Sequence, residues 1–236
     1  MAPDSPQTMA TEVHDVATPH GTARLHIDRG TSAAPGSSTT APVATLVLGH
    51  GAGRGGDSPD LEALAEALPA QGITVVRIEQ PWHVAGRKVA GRPAVLDEAT
   101  RACLDGLAPL LQQRGLDAAG PLVVGGRSAG ARVACRLASS VGAVGCVALA
   151  FPLHPPGKPD KTRLPELLGA GVPTFVVQGE RDAFGGPAAF PEHVDLTVVP
   201  EADHGFRVGN RAVLSQADTY DLVVEAVVEW VTARVA

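Results

Sequence analysis

Short, largely apolar runs alternate with segments of helical spacing along most of this chain. Val43 to Leu48, Ile73 to Ile78, Leu122 to Val124, Val144 to Ala150, Phe175 to Val177 and Leu196 to Val199 have strand length. Most of their positions are apolar rather than every second one, the pattern of strands covered on both faces. Between them, Leu61, Leu64, Ala65 and Leu68 recur at helical spacing behind Ser58-Pro59, an N-cap and a proline at the first helical position, and Gln71-Gly72 closes that helix. Leu96, Cys103, Leu104, Leu107 and Leu111 mark a longer helix that Pro109 should kink or shorten. Val133, Ala134 and Leu137 form a third, Leu164 to Leu168 a short one, and Tyr220, Val224, Val227, Val228 and Val231 the apolar face of the last. Strand and helix in alternation predict a doubly wound, mostly parallel α/β sheet.

The N-terminal part reads differently. Residues 1–10, rich in Pro, Ser and Asp, form an expected disordered tail. Ala23, Leu25 and Ile27 alternate with Arg24, His26 and Asp28, and His20-Gly21 breaks the pattern, which predicts an antiparallel hairpin at a sheet edge. Residues 29–42 form a polar, flexible connection inside a single domain spanning 11–236. No insertion between strands is long enough to make a separate lid.

Composition narrows the function classes. Aromatic residues make up only 3% of the 236, so Val, Leu and Ala must build the core. A net charge of −6 gives no basic footprint for nucleic acid or an anionic membrane. Three cysteines cannot make a complete disulfide framework and read as small buried hydrophobes in a reducing compartment. The first ten residues lack the basic and apolar regions of an export signal, and no apolar run has membrane-spanning length, so a cytoplasmic protein is expected. The histidines lack the spacing of a zinc site, and neither metal nor organic cofactor is expected. The sequence leaves the oligomeric state open.

The chemistry gathers where strands end, which is where ligands bind in open α/β sheets. Leu122-Val123-Val124 runs into Gly125-Gly126-Arg127-Ser128-Ala129-Gly130, a strand, a Gly-x-Ser-x-Gly turn and a helix: the context of a nucleophile elbow. After Val43–Leu48 comes Gly49-His50-Gly51-Ala52-Gly53, where the N–H of Ala52 can join that of Ala129 as an oxyanion hole, with His50 bracing the loop. Asp182 follows the Phe175 strand in a glycine-bounded loop, with Glu180 as a competing acid, and His204 follows the last strand. The order Ser128, Asp182, His204 is that of the α/β-hydrolase fold. Gln80-Pro81-Trp82-His83 leads into Arg87, Lys88 and Arg92, a basic loop near the site mouth that reads as a solvated charge run.

One segment competes with this reading. Gly51-Ala52-Gly53-Arg54-Gly55-Gly56 fits Gly-x-Gly-x-x-Gly, and Glu79 ends the next strand, as in a dinucleotide-binding oxidoreductase using NAD. That reading leaves Ser128, Asp182 and His204 without a role. A third class, an interaction module without turnover, has no need of all three.

From about Val43 to Arg207 the chain resembles the α/β-hydrolase-like proteins grouped with the testis-expressed and NSL-complex-subunit proteins, relatives of the dienelactone hydrolases. The likeness rests most on Phe151-Pro152-Leu153-His154-Pro155-Pro156-Gly157-Lys158-Pro159-Asp160-Lys161, and further on the Gly49, Gly125, Gln178 and Asp203-His204-Gly205-Phe206 segments. It implies an α/β-hydrolase fold with Ser128, Asp182 and His204 in triad positions, and no particular substrate. Ala129 and Ala131 depart from the family's Met and Gly, and serine stands where dienelactone hydrolase itself has cysteine. His154 and Lys158, with Trp82, are candidate substrate-pocket residues. The expected function is a serine hydrolase acting on a small-molecule ester or other acyl substrate of small or medium size.

Overall fold

The structure, a computed structural model, describes residues 10–30, 42–53, 57–113 and 120–235. Most of the tail at 1–10, most of the 29–42 connection and residues 54–56 of the glycine pattern lie outside the described residues.

A strand buried on both faces must send alternate apolar side chains to two cores, and the central strands do this. In β3 (Ala44–Gly49), Leu46 and Leu48 enter one core while Val47 enters another. In β5 (Leu122–Arg127) and β6 (Gly145–Leu149), Val123 and Val147 face one side, Val124, Cys146 and Ala148 the other. With β4 (Ile73–Glu79), β7 (Thr174–Gly179) and β8 (Asp195–Val199) they pair in parallel. The hairpin β1 (Glu12–Thr18) and β2 (Gly21–Asp28) adds antiparallel on β4, so the eight strands run β1-β2-β4-β3-β5-β6-β7-β8. The hairpin occupies the edge, as its one-sided pattern requires, with Ala23, Leu25 and Ile27 buried.

Helices cover both faces. Helices α1 (Pro59–Ala67) and α6 (Gln216–Val235) pack over one, through Leu61, Leu64, Val223, Val227, Trp230 and Val231. On the other lie α3 (Pro93–Gln113), α4 (Ala129–Leu137) and α5 (Leu164–Leu168), and the one-turn α2 (Pro81–Val84) follows β4. Trp230 stacks on Phe175 with 5.6 Å between ring centroids and donates from Nε1 to Asp195 at 2.8 Å.

Three local expectations are corrected. Pro109 does not shorten α3, which runs on to Gln113: Pro109 and Asp105 both face solvent, where water can take the carbonyl that the proline leaves without an N–H partner. The buried seam of α6 is Val223, Val227, Trp230 and Val231, one step round from the expected face, and Tyr220, Val224 and Val228 flank it half-buried. Gln80-Pro81-Trp82-His83 is not plain loop, because Pro81 starts a helical turn. All three cysteines are buried and free; the Cys135 and Cys146 sulfurs are 3.8 Å apart, and burial pushes the Cys103 thiol up to about 12.

One ion network ties the helices of the second face together. Glu166 accepts from Arg132 Nε and Nη2 at 2.9 and 2.6 Å and from Arg136 Nη1 at 2.6 Å, while Arg136 also forks onto Asp97 at 2.8 and 2.6 Å. Desolvation works to raise the Glu166 pKa, but the bonds and charges of Arg132 and Arg136 outweigh it and hold it below the ordinary glutamate value. A carboxylate lowered in the folded state stabilises above its unfolded pKa, and the contribution is lost as pH falls through the folded one. Because the groups are about a quarter exposed, Glu166→Gln should cost only about 1 kcal/mol at pH 7. Urea titrations should show that difference constant above about pH 5 and vanishing in acid.

Candidate active site

The elbow after β5 is tight because three backbones meet there. A Cβ on Gly130 would stand 2.1 Å from the Gly49 carbonyl oxygen, and one on Gly126 would stand 2.5 Å from the same atom. Only glycine lets the end of β3 touch the turn. Ser128 takes the strained conformation of the bend, φ 54° and ψ −108°, and its N–H donates to Leu149 O at 2.9 Å.

His204 comes to the serine from the loop after β8. Its Nε2 lies 2.9 Å from Ser128 Oγ, and its Nδ1 lies 2.7 Å from Asp182 Oδ2. An ionised carboxylate only accepts, so Nδ1 carries the hydrogen and Nε2 is free to accept from the serine hydroxyl. Three residues from three strand ends therefore form one chain of hydrogen bonds. The imidazole also stacks on Phe184 with centroids 4.1 Å apart.

The Asp182 side chain is fully buried and is met by donors at both oxygens. Gln178 Nε2 donates to Oδ2 at 2.9 Å and the Phe184 N–H to Oδ1 at 2.7 Å. Gln178, itself fully buried, also donates to Gly185 O at 2.8 Å, which fixes the loop around the acid. Glu180, the competing acid, instead accepts the Glu201 N–H at 2.7 Å on the surface.

On the other flank, His50 holds the loop after β3. Its Nε2 accepts the Gln80 N–H at 3.0 Å, so its Nδ1 donates to Gly51 O at 2.7 Å. The loop it braces carries Ala52. Ala52 and Ala129 line one mostly apolar cavity with Trp82, Ala90, Leu96, Val133 and others. Its volume is about 20 Å³, room for one or two water molecules. Trp82 thus borders the site. His154 and Lys158 do not line this cavity: His154 packs by the acid loop, donating its N–H to Phe184 O at 2.9 Å, and Lys158 is exposed. The prolines around them set the path of a loop that supports Phe184. Arg87, Lys88 and Arg92 are exposed.

Two side chains escaped the sequence reading as functional candidates. Gln178 is one, and its signal was a buried amide closing a strand otherwise made of Val and Phe. Arg127 is the other. It stands inside the elbow motif, with Nε 3.0 Å from Asp60 Oδ2 and Nη2 donating to the His204 carbonyl at 2.7 Å. Desolvation raises the Asp60 pKa, against the opposing charge of Arg127. Among the described residues, no three His, Cys, Asp or Glu side chains are arranged to hold a metal ion, and no helix is long and apolar enough to cross a membrane.

Comparison with known proteins agrees with this architecture. A family model described as an alpha/beta hydrolase domain matches residues 42–232. No curated protein matches the sequence. Among solved structures, the lidless a/b serine hydrolase XC6422 of Xanthomonas campestris is similar at TM-score 0.67 and 19% identity, over 94% of this chain and 95% of that one. Dienelactone hydrolase from Anabaena variabilis gives 0.66 at 18%, over 94% and 97%. Est1E from Butyrivibrio proteoclasticus gives 0.63 at 13%, over 93% and 98%. The match is to the superfamily and does not single out the testis-expressed and NSL-complex-subunit group.

The contact between the elbow and β3 predicts a sharp contrast between two glycines. Gly130→Ala must move backbone and should cost about 3 kcal/mol or more. Gly53→Ala, with open space where its Cβ would stand, should change stability by less than about 0.5 kcal/mol in the same urea titration.

Proposed function

The chain belongs to the alpha/beta hydrolase domain family, and from that premise we propose that it is a serine hydrolase cleaving a small ester or other acyl substrate. The observation that carries this reading is the unbroken hydrogen-bond chain Ser128–His204–Asp182, with an apolar cavity lined by Ala129, the residue after the serine.

In the proposed mechanism, Ser128 Oγ attacks the acyl carbonyl while His204 Nε2 takes its proton. Asp182 stabilises the imidazolium and keeps its orientation. Charge then builds on the carbonyl oxygen, where the N–H groups of Ala52 and Ala129 are the proposed donors. Collapse of the tetrahedral intermediate breaks the bond to the leaving group, which receives the proton from His204. Water repeats the sequence on the acyl-enzyme, giving the acid and restoring the serine.

The cavity supports a narrower statement about the substrate. A space of about 20 Å³ bounded by Trp82, Val133 and Leu137 fits a short acyl group and not a fatty chain. Each buried methylene is worth about 0.8 kcal/mol only while there is room for it.

Two measurements test the proposal. Ser128→Ala should lower hydrolysis of p-nitrophenyl acetate at least about 10³-fold and abolish labelling by a fluorophosphonate, with the fold retained. Full activity in that variant would refute the mechanism. For the unaltered protein, kcat/KM should fall at least about tenfold from the acetate to the octanoate ester.

A further inference from the structure

Arg127 lies between the end of β5 and the nucleophile, and the proposed mechanism gives it no task. Its side chain is only 15% exposed, yet it is spoken for at two separate atoms. Nε stands 3.0 Å from Asp60 Oδ2, and Nη2 donates to the carbonyl of His204 at 2.7 Å. A third part of the guanidinium packs by the oxyanion loop: a Cβ on Gly51 would lie 3.1 Å from Nη1. One planar group thus reaches α1, the His204 loop and the loop after β3.

Each partner is held in place by its own surroundings. Asp60 is the second residue of α1, where the helix dipole favours a carboxylate, and it is 1% exposed. The His204 loop has its own internal turn: Asp203 Oδ1 accepts the N–H groups of Gly205 and Arg207 at 2.7 and 2.9 Å, and the Asp203 N–H donates to Arg207 O at 3.0 Å. Those bonds give the loop its shape. They do not fix its distance from Ser128. The bonds from the Arg181 N–H to Ala202 O at 2.9 Å and from Gln216 Nε2 to Phe206 O at 2.8 Å tie it to the acid loop and to α6, and Arg127, the residue before the serine, ties it directly to the elbow through the backbone of the histidine. The Asp182 bond orients the ring, and Arg127 holds the chain that bears it.

Stability is a poor reason for such a pair. Taking two charges out of water costs about as much as their attraction returns, and apolar side chains of equal volume often do as well. The contact to Asp60 meets an ion-pair distance without the alignment of a good hydrogen bond. The forked shape of arginine is what the geometry uses: Nη2 donates to one partner, the His204 carbonyl, while Nε lies within ion-pair distance of the other, Asp60. A lysine ammonium offers one point and reaches one of them.

We propose, resting on the serine-hydrolase reading, that Arg127 anchored by Asp60 is a positioning residue that holds His204 at proton-transfer distance from Ser128. It touches the backbone of the base and not the substrate, so its loss should lower kcat and leave KM.

The test compares the unaltered protein with Arg127→Lys and Asp60→Asn, using p-nitrophenyl acetate kinetics, fluorophosphonate titration to count competent serines, and thermal melts. The expected result is a kcat per titrated serine lower by about 10- to 100-fold in both variants, with KM within about twofold. A kcat per titrated serine within about twofold of the unaltered protein in either variant, whatever the fall in Tm, overturns the positioning role alone. If Arg127→Lys does not fold, the nearly isosteric Asp60→Asn decides on the same criterion. An unaltered protein that takes no label and hydrolyses no ester overturns the hydrolase reading, and this proposal with it.

Discussion

The backbone contact between Gly49 and Gly130 is the constraint on which the site depends. Two peptide chains can approach so closely only where neither carries a Cβ. That approach brings the loop after β3 against the first turn of α4 and so sets Ala52 beside Ala129. It also forces Ser128 into a bend that costs on the order of 1–3 kcal/mol, held in place by the surrounding sheet and helix. A wider turn would relieve the strain and drop the hydroxyl back among the strand ends.

The two sides of that bend have opposite character. Towards α3 and α4 the walls are apolar and the space small. Towards α1 and α6 the elbow is bound by charge, with Arg127 against Asp60 and the histidine backbone. Opposite both, Asp182 sits buried among donors from Gln178, the Phe184 backbone and His204. The asymmetry follows from the doubly wound sheet, which gives the C-terminal edge of its strands two different neighbours.

Much of this was legible in the sequence, for a physical reason. Strands covered on both faces leave continuous apolar runs, so β3 to β7 announced themselves, and the residues just beyond them marked where chemistry gathers. Positions that depend on partners distant in sequence were silent. Arg127 and Asp60 meet only after β3, β5 and α1 have packed, and neither carries a local pattern. The α6 seam shifted by one residue because Trp230 turns inward onto Phe175, which spacing among valines does not reveal. Pro109 does not end α3, because it lies on the solvent face of the helix, where water can take the carbonyl it leaves unpaired. His154 and Lys158 stood in the most distinctive segment of the chain, yet distinctiveness there records the path of a rigid loop.

The chain has two tryptophans, and the fold places them at opposite ends of the sheet. Trp82 borders the cavity, with the His50 ring 5.4 Å and the His83 ring 5.4 Å away. Trp230 is pinned between Phe175 and Asp195 near the strand beginnings, with Arg234 over its ring. One indole therefore shares the cavity with whatever enters it, and the other is screened from it by the full length of the strands. The protein carries its own optical reporter and its own reference, and a change in emission on adding a ligand belongs to the first.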